Sequence, residues 1–174
     1  MKKIRLIGMF ALTFALVFGA GSCKNDEDEG PWGDSLAEVL KEEGDKFLKA
    51  DWVFDKDAQE VDISFYVNGE EADASYYTEN FSSSVSHMFP KTIAKEDAVD
   101  FAKSLLNTEK QTNESYKKGP VKYGDSGTMY AEMSVMVNGD RNVIRIEQYN
   151  EMIGEEAGIP MELYSNVALE YKKK

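Results

Sequence analysis

The sequence predicts an α+β fold, an antiparallel sheet of about six to seven strands packed with two α-helices. Three observations carry that expectation. Long stretches alternate apolar and polar residues with period two, two other segments repeat apolar residues with the helical period, and a Val-Asn-Gly signal twice ends an alternating run. Each well-formed strand keeps a polar face, as expected of an antiparallel sheet with one side against helices or core.

The first helix is expected to start at Ser35. Ser35-Leu36-Ala37-Glu38 fits a capping box, in which hydroxyl and carboxylate satisfy free backbone donors reciprocally. Leu36, Val39, Leu40, Phe47 and Leu48 form its apolar stripe, interrupted by Gly44. A second helix carries Glu96 and Asp97 in its first turn, and Ala98, Phe101, Ala102, Leu105 and Leu106 recur at helical spacing.

Strands fill the rest. Val61, Ile63, Phe65 and Val67 alternate with Asp62, Ser64 and Tyr66 before the Asn68-Gly69 turn. Met129, Ala131, Met133, Val135 and Val137 alternate with Tyr130, Glu132, Ser134 and Met136, and Asn138-Gly139-Asp140 turns the chain into Val143–Tyr149. A last strand runs from Met161 to Tyr171. Trp52–Phe54 and Tyr76–Phe81 are weaker strand candidates, Asp55–Glu60 suits a solvated turn, and Ser82–Ser86 suits a loop. Residues 62–70 align with residues 132–140 at an offset of 70, and each copy follows a helix. Two pseudo-repeated helix-plus-hairpin halves fit that pattern, as do convergent turns on one sheet around a helix.

Charge is unevenly spread. The chain carries 20 basic and 32 acidic side chains, a net −12. Residues 1–22 hold Lys2, Lys3 and Arg5 and no acid, so without them the balance is 17 against 32, or −15. Met1–Arg5 is basic, Leu6–Ala20 is uncharged and apolar, and small residues lead to the lone cysteine, Cys23. Basic, apolar, small is the order of a secretory signal. The 18 uncharged residues from Leu6 to Cys23 are also long enough for a thin transmembrane anchor. Gly8 and Gly19, the closing small residues and the abrupt polar segment after Cys23 favour cleavage.

Ala20-Gly21-Ser22-Cys23 resembles the end of a bacterial lipoprotein signal, with Ala20 where Leu is commoner. The resemblance implies cleavage before Cys23 and acylation of its sulfur and amino group. Each buried CH₂ contributes about 0.8 kcal/mol, so several chains anchor near-permanently. Lys24 follows the cysteine, and Asp26-Glu27-Asp28-Glu29 is similar to the acidic surface-export signal of Bacteroidetes lipoproteins. That similarity implies an outer-membrane protein facing outward. The chain then divides into a signal at 1–22, a lipidated acidic tether at 23–33 and one α+β domain at 34–174. At about 3.3 Å per residue the tether reaches roughly 30 Å. Asp34-Ser35-Leu36 also resembles an O-glycosylation motif of Bacteroidetes envelope proteins, although capping alone accounts for Ser35.

Catalytic signatures are scarce. His87 is the single histidine, set in a serine-rich stretch without a G-x-S-x-G elbow. Zinc wants several Cys or His ligands, and Asp55–Glu60 lacks the glycine and spacing of a calcium loop, so no metal is expected. No phosphate loop or dinucleotide fingerprint occurs, so no cofactor is expected. Strong acidity argues against nucleic acid. Tyr66, Tyr130, Tyr149 and Tyr164 fall on the polar phase of their strands and form a candidate binding face, since Tyr offers contact area with a polar handle. The leading expectation is a lipid-anchored envelope protein with a non-enzymatic binding or accessory role toward a protein or glycan. Two alternatives stand beside it: an inhibitor or immunity-type protein docking a basic partner, and a small carboxylate-dependent hydrolase. A binding module predicts a flat Tyr-lined sheet, and a hydrolase predicts a deep cleft with converging acids.

Overall fold

The structure is a computed structural model that describes residues 33–174, apart from the side chains of residues 84–88 and 116. The signal, Cys23, Lys24 and Asp26, Glu27, Asp28 and Glu29 lie outside the described residues. The chain is α+β. Helices α1 (Leu36–Glu43), α2 (Ser75–Met88) and α3 (Ala98–Tyr116) accompany strands β1 (Trp52–Val67), β2 (Glu70–Ala72), β3 (Thr92–Ile93), β4 (Val121–Tyr123), β5 (Gly127–Val137), β6 (Val143–Glu156) and β7 (Ile159–Lys173). All pairings are antiparallel, in the order β2-β1-β7-β6-β5-β4, with β3 beside β1.

The described residues form three α-helices where two were expected. Tyr76–Phe81 and Ser82–Ser86, expected as strand and loop, belong to α2. Its start has a local cause: the Asp73 carboxylate accepts from the Ser75 N–H at 3.0 Å, and Ala74 C=O accepts from Thr78 N–H. Helix α1 is shorter than its stripe suggested. Gly44, at φ 75°, closes it by donating to Leu40 C=O, and Phe47 and Leu48 fall in a separate 3-10 turn, Lys46–Leu48. At Ser35 one half of the expected capping box forms, with Glu38 N–H donating to the Ser35 hydroxyl, while that hydroxyl, rather than a backbone N–H, donates to the Glu38 carboxylate. Helix α3 starts at Ala98 with Asp97 as N-cap, so Glu96 precedes it. Asp55–Glu60, expected as a turn between strands, lies inside β1, where a bulge shifts the register against β7.

The Asn68-Gly69 turn joins β1 to β2 with both residues at positive φ, 55° and 75°. The two Val-Asn-Gly segments occupy matching places, each second from an edge of the sheet. Their successors differ: β2 pairs outward from β1, whereas β6 pairs inward from β5.

One face of the sheet carries the core. Val135 and Val137 of β5, Ile144 and Ile146 of β6, and Val167, Leu169 and Tyr171 of β7 meet Leu36 and Val39 of α1 and Ala98, Ala102 and Leu105 of α3. Helix α2 joins the same face, where Tyr77 packs on Phe65 at 5.1 Å. The Tyr171 ring meets Phe54 and Phe101 edge-on, and its hydroxyl donates to Pro90 C=O. Burial pushes the Tyr171 hydroxyl pKa well above its ordinary value.

The outer edge of β5 is covered by side chains, because β4 reaches only residues 127–129. The Asn113 amide accepts from Met133 N–H at 2.8 Å and donates to Met133 C=O at 2.6 Å. Glu109, one turn earlier on α3, accepts from Val135 N–H at 3.0 Å. Asp34 C=O accepts from Val137 N–H, and Ser35 bridges Met136. A strand that presents unpaired backbone groups invites pairing with another chain, and these contacts occupy them. Arg141, in the β5–β6 turn, donates to Asp34 at 2.8 Å and Glu43 at 2.7 Å, and so ties the start of the domain to the same end of the sheet.

Candidate binding face

Among the described residues no helix packs on the other face of the sheet, and the four candidate tyrosines all emerge there. Period-two alternation places them on one side of their strands, and the register brings them together. Tyr66 of β1 stands opposite Glu162 of β7. Tyr164 of β7 stands opposite Ser64 of β1 and Glu151 of β6. Tyr149 of β6 stands opposite Asn166 of β7 and Glu132 of β5, and Tyr130 of β5 stands opposite Glu151. The result is a bent row across four adjacent strands, about 14 Å wide at normal strand spacing.

The rings touch in pairs. Tyr66 and Tyr164 lie 5.9 Å apart at 80°, and Tyr130 and Tyr149 lie 6.2 Å apart at 66°, both edge-to-face arrangements favoured by the ring quadrupole. Tyr149 is 36% exposed, and the other three are half-buried. Ser64, Tyr66, Gly69, Glu162 and Tyr164 line a shallow hollow of about 490 Å³, open to solvent. The other hollow of note is a crevice of about 20 Å³ at Met152 and Met161.

Carboxylates alternate with these rings. Glu151 lies in the crook of the row, level with Tyr164 and Tyr130 across the strands and two residues from Tyr149 along its own. The Tyr149 hydroxyl donates to Glu151 at 3.4 Å, and the Tyr164 hydroxyl donates to Glu162 at 2.7 Å. The bond to Glu162, then burial and the nearby charges, push the Tyr164 pKa up to about 12. Burial and then Glu151 raise Tyr149, while burial, Glu132 and Glu151 raise Tyr130. Burial and nearby negative charge both disfavour a phenolate, so the two causes act in the same direction at these rings. Among the described residues, no Lys or Arg lies within ion-pair reach of Glu132, Glu151 or Glu162.

Toward the Arg141 end the same face is different in kind. Arg145 is 7% exposed and binds Glu170 at 2.9 Å, Glu147 at 2.6 Å and Glu60 at 2.9 Å. Burial opposes the guanidinium charge, and hydrogen bonds to Glu60, Glu147 and Glu170 outweigh it, holding its pKa above the ordinary value. Lys172 pairs with Asp55. These cations are satisfied by other acids of the fold, which leaves Glu132, Glu151 and Glu162 among the tyrosines without an ion-pair partner.

No family model, curated protein or solved structure matches this chain. Its chemistry is therefore read from the face alone. Sequence reasoning identified the tyrosines but not Glu132, Glu151 and Glu162. The signal was present in the strands themselves, since each is an even number of residues from Tyr130, Tyr149 or Tyr164 and must share its face. Among the described residues, no three His, Cys, Asp or Glu side chains group closely enough to hold a metal ion.

Proposed function

We propose that this chain is a lipid-anchored outer-membrane protein, facing outward, whose open sheet face binds another envelope component without turning it over. One observation carries the binding role: four tyrosines from four strands gather on the face that no helix among the described residues covers. Tyr spreads a large, rigid contact area at low entropic cost and is favoured at binding surfaces. The acids of this face lie along the open sheet beside a shallow hollow, which supports a binding module over a cleft enzyme. The anchor rests on the likeness of residues 1–29 to a lipoprotein signal and export motif. The domain begins beside Val137, and Tyr130 lies seven residues back along β5, about 23 Å away. A tether on that end holds the tyrosines toward the side away from the lipid.

The test introduces a photo-crosslinking residue at position 149, or at the exposed Lys103 on α3, in intact cells expressing the full chain. A discrete adduct from position 149 and none from position 103 is expected. No adduct from 149, or identical adducts from both positions, refutes the binding face. Incorporation of an alkyne-labelled fatty acid, lost in Cys23→Ala, is expected for the anchor. An unlabelled wild-type chain refutes it.

A further inference from the structure

We infer that the centre of this face is a receptor for a cationic side chain, an arginine presented by a partner protein, seated over Glu151 among Tyr130, Tyr149 and Tyr164. This rests on the binding face proposed above and adds the chemistry of what occupies it. Three features converge on one spot. Glu151 is flanked by Tyr164 on β7, Tyr130 on β5 and Tyr149 two residues along β6. Its carboxylate has a tyrosine hydroxyl as hydrogen-bond partner and no cation in reach among the described residues. Glu132 and Glu162 flank the group on β5 and β7 and are equally without a cation.

Aromatic rings around a carboxylate are complementary to a positive group. The ring quadrupole attracts a cation to its face, and the carboxylate supplies the counter-charge. Arginine suits the spot better than lysine. Its guanidinium is planar, is more weakly hydrated, stacks on aromatic rings and can bond a carboxylate through two N–H groups. The contrast with Arg145 supports this reading. On the same face, one rung set away, the fold supplies its own arginine to Glu60, Glu147 and Glu170, whereas at Glu151 it supplies none. A net charge of −12 also favours approach by a basic partner.

The test titrates the full chain, held in neutral-detergent micelles, with an acetylated Gly-Arg-Gly-Arg-Gly peptide and reads heat of binding. The citrulline peptide, equal in shape but neutral, and the lysine peptide are run in parallel. Binding of the arginine peptide is expected, weaker at 300 mM salt than at 20 mM, with the lysine peptide weaker and the citrulline peptide silent. Glu151→Gln and Tyr149→Ala are each expected to weaken it by about two- to fivefold, the size of one exposed cation–π or ion-pair contact. Glu96→Gln, which removes the same charge from a site before α3, is expected to leave affinity unchanged. Tyr149→Ala matters most because it alters no charge, and thermal unfolding verifies that each variant is folded.

Equal losses in Glu151→Gln and Glu96→Gln reduce the binding to bulk acidity and overturn the inference. Unchanged affinity in Tyr149→Ala overturns it as well, as does tight binding of the citrulline peptide. If the arginine peptide fails while position 149 still crosslinks in cells, the arginine receptor falls and the binding face stands. Failure of both removes both.

Discussion

Replacing Asn113 with Ala uncovers the outer edge of β5, and the cost can be worked from the geometry. The Asn113 amide is the partner of both backbone groups of Met133, at 2.8 Å and 2.6 Å, and Met133 is only 5% exposed. Truncation leaves one N–H and one C=O without their partner. A buried polar group deprived of its partner costs about 1–3 kcal/mol, and water reaching the edge recovers part of that, so the sum is about 2–4 kcal/mol. For a chain of this size each kcal/mol lowers the melting temperature by about 2–4 °C, which gives a fall of about 5–15 °C. Circular dichroism reads the fall, and amide exchange at Met133 localises it. A variant that melts within a degree of the parent, with Met133 equally protected, refutes the idea that this side chain closes the edge. Chain association at high concentration should accompany the loss, since a bare edge pairs with its like.

Three further outcomes follow from the same geometry. Burial holds the Glu109 carboxyl above its ordinary pKa despite the bond from Val135, so its folded form binds a proton more tightly than its unfolded form. Its ionisation therefore costs stability as pH rises from the unfolded value through the raised folded one. Glu109→Gln should melt higher than the parent at pH 7, with the advantage fading toward pH 4; an advantage that grows on acidification contradicts this assignment. Arg145→Met strands the buried Glu170 and should cost about 3–5 kcal/mol by denaturant titration, with Glu170→Gln recovering part of it in the double variant. An additive double variant contradicts that coupling. Gly69→Ala places a Cβ in open space but at φ 75°, so a loss of about 1–2 kcal/mol is expected from backbone strain alone, and an unchanged melt contradicts it.

The sheet was legible because alternation is a local signal. Val61–Val67 and Met129–Val137 state their period and their turn within ten residues, and the tyrosine face follows from that phase. Helix α2 was hidden by composition. Tyr76, Tyr77 and Phe81 favour strands and the serines favour loops, while the cue that starts the helix, Asp73 beside Ser75, is a common turn pattern. The bulge in β1 escaped because Asp55–Glu60 is hydrophilic, as a turn would be, and only pairing with β7 keeps it in the strand. Glu109 and Asn113 look like ordinary polar positions on α3. Their role exists only once that helix lies along β5. Glu151 among three tyrosines likewise depends on cross-strand register, which no single strand encodes.

The pairing of Asp34–Ser35 with Met136–Val137 has a mechanical meaning. That short segment runs antiparallel to β5, with Gly33 beside Val137 and Gly139 at the β5–β6 turn. A pull on the N-terminal chain, opposed by a load gripping Tyr130 or Tyr149, is directed lengthwise through β5 and β6. Lengthwise tension loads the Val137–Asp34 backbone bond and the Ser35–Met136 bridge together, in shear, where a crosswise pull would open them one by one. Arg141 locks Asp34 to Glu43 at the point where that force enters. Under the proposed anchor and binding face, β5 and β6 would act as a strap between the two ends.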